Sequence, residues 1–217
     1  MAAQSSGMAS FNTLARASEI TSSSNTYKWT NRTNAQTSNN SYASLLWSNS
    51  AGAYQSLSVP ISASNQFTNY FVITELSSTI PSGATVDGIT VKIERYNANA
   101  SGDFPLTIND NAIYLTKDGT STVGSNKSTG AAWQATDNNT TVDFGGAADL
   151  WGATWTAAEI NAATFGIMIS PSLTFSDYAE TGGNILIDQV TIIVDYTEIV
   201  ASRRRAVFST KAEIRIV

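Results

Sequence analysis

From Tyr42 onward the chain is a succession of short apolar runs separated by turn residues, and few of these runs recur at helical spacing. Leu57, Val59 and Ile61 alternate with Ser56, Ser58 and Ser62, which is the period of a strand with one buried face. Tyr70-Phe71-Val72-Ile73 is apolar on both faces, as a strand covered on both sides is. Ile80-Pro81-Ser82-Gly83 then signals a turn, because Pro fixes φ and Gly permits a positive one. Ile89, Val91 and Ile93 alternate with Thr90, Lys92 and Glu94, predicting one buried and one wet face. Ile113 and Leu115 continue the pattern, and Lys117-Asp118-Gly119 closes it with a hairpin-like turn.

One helix is predicted, at Thr156-Ala157-Ala158-Glu159-Ile160-Asn161, where Thr156 and Glu159 have capping-box spacing. Phe165, Ile167 and Ile169 then alternate with Gly166, Met168 and Ser170 up to Pro171. The strongest strand comes last, with Leu186, Val190, Ile192, Val194 and Tyr196 on one face and Asp188 as its polar exception. Such strands, with turn signals about every ten residues and one short helix, predict an all-β fold. The expected architecture is an antiparallel two-sheet jelly-roll-like sandwich with extended N- and C-terminal arms. The divisions are an arm at 1–40, the sandwich at 41–197 and a C-terminal arm or strand at 198–217.

Composition sharpens the reading of the arms. Only 13% of residues are charged, about half the usual fraction, while Ser, Thr and Asn together make up about a third of the chain. The first forty or so residues carry few large apolar groups, too few to fold alone. Phe11, Leu14, Ile20, Tyr27 and Trp29 read as anchors that dock on the domain or on a neighbouring subunit. At the other end, Phe208, Ala212, Ile214 and Ile216 fall on one strand face and Lys211, Glu213 and Arg215 on the other, with no obvious partner strand inside the domain. Arg203, Arg204 and Arg205 precede this strand as a basic hinge, the one dense cluster of charge.

Function classes narrow quickly. With no His and no Cys, imidazole-based nucleophile systems, thiolate chemistry, zinc fingers and disulfides are closed. Carboxylate-pair glycoside hydrolysis survives that filter. A net charge of -5 disfavours nucleic acid as a partner, no apolar run reaches the length of a membrane span, and Met1 to Ser10 lacks the features of a secretory signal. No cofactor or metal is expected, since Asp110, Asp118, Asp137, Asp143 and Asp149 match no compact calcium loop and suit solvated turns better.

The segment from Gly145 to Thr156, GGAADLWGATWT, admits two readings. Asp149 is a general acid or base beside a sugar stacked on Trp151 or Trp155, or the tryptophans plug the end of the sandwich from a Gly-permitted loop. The second is the commoner use of Trp, although Trp133, Trp151 and Trp155 together remain candidate glycan-stacking residues.

Trp29 to Ala43, Ile80 to Arg95, Gly124 to Lys127, the Gly-Gly-Ala-Ala-Asp-Leu-Trp segment through Ile167, and Asp188 to Tyr196 can be read together. These stretches resemble a family of phage and prophage virion structural proteins with a jelly-roll-like β domain. The resemblance implies a non-enzymatic particle component of head or tail, with no catalytic residues to carry over. The expectation is a capsid decoration or cement protein, made in the host cytoplasm and resident in the virion. A homo-oligomer is expected, with a trimer favoured, contacting the major capsid protein or other virion proteins through its arms. Assembly contacts are expected at Phe11, Leu14, Trp29, Arg203, Arg204, Arg205, Phe208, Ile214 and Ile216. A tail or fibre component and a carbohydrate-binding module are the alternatives.

Overall fold

The structure, a computed structural model, describes residues 10–14, 26–48, 66–76, 79–98, 106–136, 139–175, 185–198 and 208–214. The alternating run Leu57, Val59, Ile61 lies outside them, as do Ile20, Asp137, Arg203, Arg204, Arg205 and Ile216.

Eleven strands form two antiparallel sheets in the described residues. One sheet contains β1 (Ser10–Leu14), β4 (Gln66–Phe67), β5 (Tyr70–Thr74), β7 (Leu106–Thr116) and β9 (Gly166–Phe175). The other contains β2 (Thr26–Thr30), β3 (Ala43–Ser48), β6 (Thr85–Asn97), β8 (Thr141–Gly146), β10 (Ile185–Glu198) and β11 (Phe208–Ile214). Along the second sheet β3, β10, β6 and β8 lie side by side in that order. In the first, β4 and β5 share one flank of β9, β7 takes the other, and residues 123–132 bridge to β7 at Leu115↔Val123 and Asn109↔Ala132. From β5 to β10 successive strands alternate between the two sheets, giving an antiparallel two-sheet sandwich.

The core lies between the sheets. Ile89, Val91 and Ile93 of β6 and Val190, Ile192 and Val194 of β10 meet Phe71, Ile73, Ile113, Leu115, Ile167 and Ile169 of the opposite sheet. Trp29 of β2 stacks on Phe71 of β5, ring centres 4.7 Å apart, and so ties the sheets together near one edge. Buried apolar area of this kind supplies the main drive to fold.

Local sequence explains the connections. The turn after Ile80 closes with the Ala84 N–H donating to the Pro81 carbonyl, and Gly83 takes φ 88. The helix α1 (Ala157–Ile160) begins with both halves of the capping box, Thr156 accepting from the Glu159 N–H and Glu159 accepting from the Thr156 N–H.

Four details differ from the pattern expected of the sequence. A bulge between Ile187 and Gln189 shifts the phase of β10, so Ile185 and Ile187 face the core and Leu186 does not share the face of Val190. Asp188, at that bulge, is buried and accepts the N–H groups of Asn39 and Asn40, which folds residues 36–40 over β10. The wet face of β6 holds at Thr90 and Lys92 but ends at Glu94, which is buried where β6 pairs with Gln189. Pro171 does not end β9; it sits opposite the bulge of β7 between Asp110 and Ala112, and on its other flank β4 and β5 are interrupted at Thr68-Asn69. A central strand thereby tolerates a residue with no N–H to donate.

The arms also differ. The C-terminal strand has a partner within the chain: β11 pairs with β10 from Ile192↔Ile214 to Glu198↔Phe208. That flank of β10 is open to it because β3 pairs only with Ile185 to Ile187. Within the first forty residues, β1 pairs with β5 and β2 with β3.

Candidate functional site

The chemistry-bearing side chains gather at the two ends of β6. At its start, the loop after β8 wraps the strand. The Ile89 N–H donates to the Asp149 carbonyl at 3.0 Å, and the Ile89 carbonyl accepts the Trp151 indole N–H at 2.8 Å. Trp151 is fully buried, yet its backbone is left-handed at φ 60, a conformation that costs energy for a bulky residue. Three bonds hold it there: its N–H donates to the Asp149 carboxylate, its carbonyl accepts from Ser125 N–H, and its indole is bonded as described. Gly145, at φ 79, lies so close that an added Cβ would run into the Ile89 carbonyl and the Trp151 indole nitrogen.

Two lysines pin the surrounding loops. Lys127 pairs with Asp149, joining the 123–127 segment to the loop after β8. Burial raises the Asp149 pKa, but the Lys127 hydrogen bond, the Trp151 N–H and the charge of Lys127 outweigh it and leave the carboxyl below its ordinary value. Lys117 donates to Glu159 at 2.8 Å and to the Thr154 carbonyl at 2.9 Å, with its ammonium 4.9 Å from the Trp155 ring centre. The Lys117 and Thr156 hydrogen bonds hold Glu159 below its usual pKa. Asp118 is also lowered, by the N–H groups of Thr120 and Ser121 that its carboxylate accepts.

At the far end of β6 the inward face continues Ile89, Val91, Ile93 into Arg95. The Arg95 guanidinium forks onto Asp110 of β7, with side chains 3% and 1% exposed, and so spans the two sheets. Asp110 also accepts the Trp133 indole N–H at 2.9 Å, and the Arg95 charge lies 5.2 Å from the Trp133 ring centre and 5.8 Å from that of Phe144. Every polar partner in this cluster is matched, which a buried ion pair requires.

These placements decide what the candidate residues can do. Trp133, Trp151 and Trp155, 4%, 0% and 7% exposed, are core residues whose indole N–H groups are all bonded within the chain, and they offer no open face to a sugar. Asp149 is driven toward the charged form, opposite to what a general acid needs. Asp110, Asp143 and Asp149 are each paired with a cation, and the described residues contain no cluster of acidic groups that could hold a metal. Trp29 is in the chain's own core, not on an assembly surface, because it fills the space over Phe71. Phe11 and Leu14 lie on β1 opposite Ile73 and Tyr70; Phe208 and Ile214 lie on β11 opposite Glu198 and Ile192. Sequence reasoning missed the Arg95–Asp110 pair. Its signal was an Arg in phase with three inward β-branched residues.

β1 and β11 are added strands, one in each sheet, each contributed by a terminal part of the chain. In comparisons with known proteins, no family model matches this chain, and neither a curated protein nor a solved structure matches it.

Proposed function

We propose that this chain is a non-enzymatic virion structural protein, a phage capsid decoration or cement protein that binds through its terminal strands. One observation carries the reading: β1 lies along β5, and β11 along the part of the β10 flank that β3 leaves uncovered, each held in the described residues by strand pairing. Main-chain pairing of that kind needs no side-chain chemistry and is the currency of strand addition between subunits. The low charge fits the same picture, because Ser, Thr and Asn hydrogen-bond at close quarters without the desolvation cost of buried ions. The burial of Trp133, Trp151 and Trp155 weighs against a carbohydrate-binding module.

The test is occupancy on purified particles. Quantitative gel densitometry should show the chain in proportion to the major capsid protein, and removal of 1–25 or of 199–217 should abolish association while the sandwich keeps its circular dichroism spectrum. A count of a few copies per particle instead points to the tail, and full occupancy by the doubly truncated chain overturns the arm mechanism.

A further inference from the structure

The flank of β10 opposite β6 is divided. β3 pairs with Ile185 to Ile187, Gln36 bridges to Gln189, and from Ile192 to Glu198 the flank belongs to β11. Ile192, Val194 and Tyr196 on this stretch are core residues, so the seat occupied by β11 borders the hydrophobic interior. β11 is joined to β10 by residues 199–207, a length that spans at most about 30 Å when extended. That connection includes Arg203, Arg204 and Arg205.

Resting on the assembly reading above, we infer that the partner at this seat is a second copy of the chain: β11 of one copy is accepted on the Ile192–Glu198 flank of β10 in another. The exchange re-forms the same seven register pairs, Ile192↔Ile214 through Glu198↔Phe208, so the ladder loses nothing. Exchange trades closure of the connecting loop, whose entropy cost is set by its length, for the concentration-dependent cost of association. Exchange of an identical element between copies is a low-cost route to an oligomer. The occupant is thus one already matched to the seat in register and in alternation.

The absence of Cys from the sequence makes the test direct. Asp195 and Lys211 are opposed in register, as are Thr197 and Ser209, and directly opposed strand positions lie within reach of a disulfide. Asp195→Cys chains and Lys211→Cys chains are unfolded, refolded together at equal concentration and oxidised, with each variant alone as control. Exchange predicts a covalent dimer several-fold more abundant in the mixture than in either control. The inference is overturned if the mixture matches its controls, whether the doubly substituted chain then closes its disulfide within one monomer or forms none. Should the first pair impair folding, Thr197→Cys with Ser209→Cys gives the same reading. Failure here with particle occupancy intact removes the exchange and leaves the proposed function standing; exchange without particle occupancy does the reverse.

Discussion

Trp151 shows how one residue can be strained and indispensable together. Its left-handed backbone is tolerated because the indole, the N–H and the carbonyl each have a fixed partner, on β6, at Asp149 and at Ser125. Trp151→Ala removes a fully buried ring and should cost about 3–5 kcal/mol in urea unfolding. Gly145→Ala should cost at least about 1 kcal/mol by the same measurement, because it places a Cβ at positive φ against the Ile89 carbonyl. The Arg95–Asp110 pair makes a different prediction. Arg95→Met alone strands a buried carboxylate and should lose about 3–5 kcal/mol, whereas a double-mutant cycle with Asp110→Leu should show the two losses to be far from additive. Asp118, Asp149 and Glu159 contribute to the acid limb. Each has a folded pKa below its unfolded value, which is near 4, so the stability it lends is complete above about pH 5 and lost as pH falls through the folded values. Thermal melting should drop on acidification across that range, and Asp149→Asn should drop less steeply than the parent.

Among the elements, those whose signals are local were legible. The capping box marked α1, Ile80-Pro81-Ser82-Gly83 marked a turn, and the alternation of Ile89, Val91 and Ile93 marked the buried face of β6. What was not legible depends on residues far apart in the chain. Pro171 looks like the end of β9 until its neighbours are known, for the bulge at Asp110 and the break at Thr68-Asn69 that accommodate it lie on other strands. The phase of β10 is hidden in the same way, since a bulge at Asp188 moves Leu186 off the face that plain alternation assigns to it. The partner of β11 could not be read either, because it exists only where β3 stops short on β10. That dependence can be measured. Ala212→Pro removes a ladder donor from β11 and should raise amide hydrogen exchange at Ile192–Glu198 while leaving Phe71, Ile113 and Ile169 protected.

At the scale of the whole molecule, the two sheets present unlike borders. β8, six residues long, pairs with β6 and with no further strand among the described residues. Yet it is poorly suited to recruit one: Gly145 twists it at φ 79, and Lys92 with Asp143 sets an ion pair on it. Glycine kinks, short length and charge are the means by which β proteins keep an edge from sticking. Removing 199–217 takes β11 away and leaves the Ile192–Glu198 flank of β10 without its pairing strand, so amide hydrogen exchange should rise there, an effect that substitutions at Lys92 or Asp143 should not reproduce. The guarded β8 edge also limits how the sandwich can grow: with a glycine kink and an ion pair on it, that border disfavours the addition of a further strand, and with it continuous sheet extension past β8.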